Sequence, residues 1–208
     1  YTNTYLTSSN YTSRSIYNRL VSSAVSDGSN QVTLVNNTYD GGTIYSVDSV
    51  RQHDTFNYGT SFVWRGNVTQ RTAGGITIGM SYDITGAVRS SWDNQGHSVS
   101  IAPAGGTNNA APGVITPNGN ANLAESYTWR QFLGLASETG PNAAQTTVNY
   151  GSYERPSSSV SVHGATTTYN YTNSPPTTTA TTNGRWVKTT TDGLGRTVKV
   201  ERGDGTGV

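Results

Sequence analysis

The dominant periodicity of this chain is two, and turn signals interrupt it about every ten residues. Val32 and Leu34, Ile76, Ile78 and Met80, Val99 and Ile101, Val160 and Val162, Tyr169 and Tyr171, and Val198 and Val200 alternate with Thr, Ser, Gly, Asn or Lys. Successive side chains of a strand point to opposite faces, so this pattern predicts strands with one buried face. Between them stand Ser26-Asp27-Gly28-Ser29-Asn30, Tyr39-Asp40-Gly41-Gly42, Asp83-Ile84-Thr85-Gly86, Asp93-Asn94-Gln95-Gly96, Thr139-Gly140-Pro141-Asn142 and Asp192-Gly193-Leu194-Gly195, each of which reads as a tight turn.

Three of these turns share the form Asp-x-x-Gly. An Asp at the first position accepts hydrogen bonds from backbone N–H groups further along the turn, and a Gly at the fourth tolerates the left-handed geometry that restarts the strand. Asp83 to Asp93 and Gly86 to Gly96 are both ten apart, and Gly184-Arg185 returns eleven residues later as Gly195-Arg196. That pitch suits one strand plus one turn. The spacings Tyr127 to Tyr150, 23, and Tyr150 to Tyr171, 21, double it, so two strands form one repeat unit of a stacked or wound array.

Composition narrows the class further. Only 12% of the 208 residues are charged and 32% are hydrophobic, with 13 Tyr, 24 Gly and a net charge of +1. Ordinary globular chains carry about 25% charged residues, so here Thr, Ser, Asn, Gly and Tyr occupy the surface and the core is thin. β-branched and aromatic residues favour strands over helices. No segment approaches the roughly 18 apolar residues of a membrane span, and 13 scattered Lys and Arg form no patch for nucleic acid. Zero Cys excludes disulfides and thiolate metal sites. The chain opens at Tyr1 without a charged-then-apolar leader, as a mature protein or a fragment would.

Along the chain, residues 1–102 read as a degenerate β-repeat region, 103–122 as a loop insertion too rich in Pro and Gly for regular structure, and 123–208 as a second β-repeat region with a Pro/Thr connector at 174–184. Leu123 to Ala136 is the sole helix candidate, and a poor one: Leu123, Tyr127, Phe132 and Leu135 fit a helical face badly and Gly134 interrupts it.

The repeat grammar resembles the YD-repeat, or RHS-repeat, family of large bacterial surface and secreted proteins. The resemblance rests on Tyr82-Asp83-Ile84-Thr85-Gly86 with Asp93-Asn94-Gln95-Gly96, Tyr150-Gly151-Ser152-Tyr153-Glu154-Arg155-Pro156, Gly164-Ala165-Thr166-Thr167-Thr168-Tyr169-Asn170-Tyr171 and Thr191-Asp192-Gly193-Leu194-Gly195-Arg196. These are similar to the family's Tyr-Asp-x-x-Gly-Arg unit, with Gly151 in place of Asp, Glu154 where Gly is usual, and Ala87 in place of the Arg after Gly86. Coverage is clear over 76–208 and faint before it, through Asp27-Gly28 and Tyr39-Asp40. The resemblance implies two-stranded repeats that wind into a spiralling sheet, which can close as a hollow shell or serve adhesion. It implies a structural role for Tyr82, Asp83, Gly86, Asp93, Gly96, Tyr150, Arg155, Gly164, Tyr171, Asp192, Gly195 and Arg196 as repeat turns.

Chemistry finds little to stand on. His53, His97 and His163 are far apart and read as exposed loop histidines, and no nucleophile elbow, phosphate loop or zinc-protease pattern occurs. Asp83 with Asp93 could form a glycosidase pair, but both occupy repeat turns, where a turn role outweighs catalysis. Arg202-Gly203-Asp204 spells an adhesion tripeptide and reads more simply as another Gly-rich turn. Trp64, Trp92, Trp129 and Trp186 either stack sugar rings or fill a sparse core, with the core favoured.

The chain is therefore expected to be all-β: repeated antiparallel β-hairpins in an open or spirally wound, solenoid-like sheet with long loops. The expected function is structural and non-enzymatic, as a segment of a secreted or surface-exposed bacterial filament or shell wall that associates through sheet edges. Expected partners are its own copies or neighbouring repeats of a larger chain, without nucleic acid, membrane span, metal or cofactor. A carbohydrate-binding or adhesion module that uses Trp and Tyr, with glycans as partners, is the first alternative. A glycan-active enzyme on a β-solenoid is the second.

Overall fold

The computed structural model describes residues 1–48 and 50–205. It is all-β and divides into two units, Tyr1–Ala124 and Glu125–Val208.

The first unit holds β1 (Thr2–Tyr5), β2 (Leu20–Ser26), β3 (Gln31–Tyr39), β4 (Ile44–Tyr45), β5 (Val68–Ala73), β6 (Ile76–Asp83), β7 (Val88–Asp93), β8 (Ser98–Pro103) and β9 (Pro112–Pro117). Antiparallel pairing runs in the order β1, β2, β3, β5, β6, β7, β8, β9. β4 departs from the rule and lies parallel to the end of β6, with Ile44 opposite Tyr82 and Tyr45 opposite Asp83. Among the described residues, two single α-helical turns interrupt the strands. In α1 (Ser9–Thr12) the Ser8 hydroxyl accepts from Asn10 N–H, and in α2 (Thr55–Tyr58) the Asp54 carboxylate accepts from Asn57 N–H, the usual N-cap arrangement.

The second unit is a plain meander. β10 (Glu125–Trp129), β11 (Leu135–Thr139), β12 (Gln145–Tyr150), β13 (Pro156–Val160), β14 (Thr166–Asn173), β15 (Pro176–Thr182), β16 (Arg185–Thr191) and β17 (Thr197–Asp204) each pair antiparallel with the next. Extra residues bulge the return strand of three of the hairpins, β10–β11, β12–β13 and β16–β17. Ala136 lies between the pairs Thr128–Ser137 and Trp129–Leu135, Ser157 between Asn149–Ser158 and Tyr150–Pro156, and Val198 between Thr190–Lys199 and Thr191–Thr197. The β11–β12, β13–β14, β14–β15 and β15–β16 pairs close without a shift. From β10 to β14 the two-stranded repeat expected from the tyrosine spacing is a bulged hairpin followed by an unbulged return, and the unbulged β14–β15 hairpin breaks that alternation.

Three segments depart from expectation. The supposed loop at 103–122 contains β9, in which Val114 and Ile115 pair with Ala102 and Ile101 while Pro112 and Pro117 sit at the strand ends, where a missing N–H disturbs pairing least. The Pro/Thr connector at 174–184 contains β15, paired on both sides. Its threonines are β-branched, and cross-strand hydroxyl bonds tie Thr167 to Thr182 and Thr172 to Thr177, both at 2.6 Å. The helix candidate Leu123–Ala136 is the β10–β11 hairpin, with Gly134 in its turn. Among the described residues, the longest stretch without a strand lies instead between β4 and β5, where α2 interrupts it.

The core is thin, as composition demands. Among the described residues the buried apolar side chains are Tyr11, Ala24 and Ile84. Period two located the strands but did not foretell burial: Val32, Leu34, Ile76, Ile78, Val187, Val198 and Val200 all remain exposed. The sheet leaves these apolar side chains uncovered.

Candidate functional site

One hydrogen-bonded frame recurs at the hairpin turns. The N–H of the first turn residue donates to the carbonyl four residues on, from Asp83 to Ala87 at 3.0 Å, Asp93 to His97 at 3.0 Å and Asp192 to Arg196 at 2.9 Å. It persists where no Asp is present, from Arg130 to Gly134, Gly140 to Ala144, Gly151 to Arg155 and Ser161 to Ala165, each at 2.8 or 2.9 Å. Gly86, Gly96, Gly164 and Gly195 all take φ between 78° and 90°, which glycine adopts without strain. At the degenerate turn after Tyr150, Tyr153 and Glu154 take positive φ themselves. Gly164 marks the turn at 161 in the sequence, whereas the turn at 130 was missed, because backbone geometry survives there without the Asp that signals it.

In the Asp turns the carboxylate adds a second layer. Asp93 Oδ1 accepts from the N–H groups of Gln95 and His97, each at 2.9 Å, and Asp192 Oδ1 accepts from Leu194 and Arg196, each at 2.9 Å. Asp83 Oδ1 accepts from Thr85 N–H at 2.8 Å, the Thr85 hydroxyl at 2.5 Å and Ala87 N–H at 3.2 Å. The second oxygen finds a partner in the side chain four residues on: His97 Nδ1 lies 2.9 Å from Asp93 Oδ2, and Arg196 Nε lies 2.8 Å from Asp192 Oδ2. The His97 side chain first, and its backbone N–H next, hold the Asp93 carboxyl below the usual range. For Asp192 the Arg196 N–H acts first and its guanidinium second.

The tyrosine before the turn has its own task. The Tyr82 hydroxyl, at the end of β6, donates to the Val68 carbonyl at the start of β5, at 2.7 Å. Tyr39 donates likewise to Leu20 at 2.7 Å and Tyr150 to Leu135 at 2.9 Å. Each bond pins the end of one strand to the start of the strand before it, so the Tyr-Asp pair locks one hairpin and caps the next turn. Arg155 and Tyr171 also meet, with the guanidinium 5.3 Å from the ring centre.

Asp40 shows the same chemistry outside a hairpin. Its Oδ2 accepts from Arg65 N–H at 3.0 Å and Gly66 N–H at 2.7 Å, and its Oδ1 from Asn67 N–H at 2.9 Å. Tyr11 hydrogen-bonds to it, and burial, reinforced by the Asp40 charge, pushes that phenol up to about 12. The Ile84 carbonyl accepts from Arg65 Nη1 at 2.6 Å and from His53 Nε2 at 3.2 Å. His53 is therefore half-buried and bonded rather than a free loop histidine, whereas His97 and His163 are exposed as expected. No local signal in the sequence pairs residues 53 and 65 with 84.

The remaining candidates fall as follows. Asp83 ends β6 and Asp93 ends the neighbouring antiparallel β7; since Ile78 lies opposite Asp93, five residues of β6 separate the two aspartates, about 17 Å at roughly 3.4 Å per residue, whereas glycosidase carboxylates need about 5–9.5 Å. Arg202, Gly203 and Asp204 belong to β17 rather than to a turn, with Gly203 opposite Trp186. Trp64 packs edge-on against Tyr11 at 5.5 Å, and Trp129 stacks with Tyr127 at 6.3 Å. Trp92, 47% exposed, is the most open of the four tryptophans. No set of three His, Asp or Glu among the described residues is placed to hold a metal, and no described helix is long and apolar enough to cross a membrane.

No protein-family model and no curated protein matches this sequence. Solved structures do. The chain is similar to a chain in the crystal structure of TcdB2-TccC3-Cdc42, with 11% identity, a TM-score of 0.60 and coverage of 98% of this chain and 10% of that one. It also aligns with a chain of the Photorhabdus luminescens Tc holotoxin pore at 12% identity and a TM-score of 0.41, over 97% of this chain and 10% of that one. The chain thus spans about a tenth of the length of these solved chains. At this identity the first likeness is one of fold, and the two-stranded hairpin units are the fold that the YD-repeat resemblance implies.

Proposed function

We propose that this chain is a structural, non-enzymatic YD-repeat-like segment of a secreted or surface-exposed bacterial assembly, a stretch of shell wall or filament that joins neighbouring repeats or copies through its sheet. The observation that carries this reading is a strand ladder in which almost no apolar side chain is fully buried and a set of them stays exposed on the sheet. Domains ordinarily bury one sheet face against a second layer. Here Val187, Val198 and Val200 share one face of the second unit, by the registers Val187–Arg202 and Thr189–Val200, and all three are exposed. The carboxylates that would serve catalysis are spent on backbone N–H groups in the turns. The similar solved chain belongs to a crystal structure that names three components, which supports association with neighbouring chains.

A charge set on that exposed apolar face opposes its coverage by another chain. Val198→Lys with Val200→Lys should therefore reduce assembly, measured by sedimentation, while the far-UV circular dichroism stays that of the parent. Unchanged sedimentation of a self-associating parent would sink the reading. The glycan-binding alternative has one observation in its favour, the exposed Trp92, and predicts saturable quenching of Trp fluorescence by oligosaccharides that Trp92→Ala abolishes.

A further inference from the structure

The first unit contains two segments that a meander of hairpins does not need, the one between β1 and β2 and the one between β4 and β5. They meet. Trp64 of the second packs edge-on against Tyr11 of the first, the Arg19 Nε donates to the Gly66 carbonyl at 2.9 Å, and the Arg14 guanidinium lies 5.2 Å from the centre of the Phe62 ring. Arg65 fixes the second segment from within, because its guanidinium donates to the carbonyls of Tyr58, Gly59, Phe62 and Ile84. Beside these contacts a cavity of about 510 Å³ opens to solvent, lined by Ile16 and the rings of Tyr58, Phe62 and Trp64, with Arg14 and Arg65. Its volume lies within the range of about 300–1,000 Å³ usual for small-molecule sites.

The charges of the lining are one-sided, since no Asp or Glu belongs to it. Arg65 has every guanidinium nitrogen engaged and feels the opposing charges of Asp40 and Asp83. Arg14 differs. It is exposed, only its Nη1 is bonded, to the Asn10 carbonyl at 2.6 Å, and no carboxylate among the described residues pairs with it.

We propose that this cavity binds a small molecule that carries a carboxylate on a flat aromatic ring system, with Arg14 as the group that receives the carboxylate. A guanidinium offers its planar fork of donors to a carboxylate, and the Phe62 ring beneath holds that fork at the cavity. The aromatic walls favour a flat ring, which meets them edge-on or offset. A cationic ligand would face two guanidinium groups and no carboxylate. A neutral one would keep the ring contacts and forgo the ionic hydrogen bond.

The test is amide-shift titration of the 208-residue chain with naphthoate, naphthalenemethanol, naphthalenemethylamine and cyclohexanecarboxylate as probes. Naphthoate should shift Ile16, Thr85 and Gly86 saturably and bind about tenfold more tightly than the alcohol, the difference that a charge-assisted hydrogen bond makes. The amine and the saturated acid should each bind more weakly than naphthoate. Arg14→Glu should reverse the order of acid and amine, which loss of folding cannot do. Arg14→Gln, which keeps a polar side chain of similar reach, should bring naphthoate down to the affinity of the alcohol. Equal affinity for naphthoate and the alcohol in the parent, cyclohexanecarboxylate as tight as naphthoate, shifts that never saturate, or naphthoate affinity unchanged in either Arg14 variant would each overturn the proposal.

Discussion

The indole of Trp92 covers Gly79, its cross-strand partner on β6, so closely that a Cβ at residue 79 would lie 2.2 Å from the ring. Trp186 covers Gly203 in the same way, with 2.6 Å left for a Cβ. A strand glycine exposes backbone and forfeits packing, and an aromatic neighbour laid over it restores both. Gly79→Ala should therefore cost about 1–3 kcal/mol through overpacking. Urea denaturation of the parent, the single variants and the double variant with Trp92→Ala measures it. The penalty should largely vanish once Trp92 is gone; an equal penalty in both backgrounds would trace it to the backbone instead.

The tyrosine-to-carbonyl bonds make a second prediction. Tyr82→Phe removes the phenol that donates to the Val68 carbonyl, at a cost of about 1–3 kcal/mol, and Tyr39→Phe should cost less, because the Asn37 amide still donates to the Leu20 carbonyl at 2.8 Å. Tyr153, 91% exposed in its turn, serves as the control. Tyr153→Phe should leave the thermal midpoint unchanged while the other two lower it.

Acid should weaken the fold through the Asp turns. Asp93, Asp192 and Asp27 are all held below their ordinary value of 3.8, by His97, by Arg196 and by the N–H groups of Asn30 and Ser29 respectively. A carboxyl depressed in the folded state contributes stability above its unfolded pKa and loses it as pH falls through the folded one. Urea midpoints should hold level down to about pH 4 and then drop. Asp192→Asn should start lower and drop less steeply; a slope equal to the parent's would remove Asp192 from the account.

At the alkaline end the sign reverses. Burial first, and Asp40 next, raise Tyr11 from 10.0 to about 12, while the hydrogen bond to Glu125 first, and burial next, raise Tyr127 to about 12. Phenols raised in the folded state stabilise it fully below pH 10 and cease to do so as pH climbs through about 12. Stability should decline across that window, followed by phenolate absorbance. Tyr11→Phe should shallow the decline, and an unaltered decline would show that Tyr11 has no part in it.

Much of the fold is legible in local chemistry. Alternation placed the strands, and Asp with a left-handed Gly placed the turns at 83, 93 and 192, because both signals act within a few residues. Non-local effects were not legible. Nothing near Tyr82 says that its hydroxyl reaches Val68, and nothing near His53 says that it meets the Ile84 carbonyl. Pro112 and Pro176 read as strand breakers, yet each begins a strand, because position within an element decides what a proline costs. Burial was misjudged at Val32, Leu34, Val198 and Val200, since alternation tells which side chains share a face and not whether anything covers it.

Electron microscopy of the assembly in its native context tests the central proposal most directly. A structural segment of repeats predicts a continuous β wall or a regular filament in which the ladder of this chain runs on into neighbouring strands and the exposed face of Val187, Val198 and Val200 is covered. Discrete single chains, with that face bare and no strand added to the sheet, would contradict it.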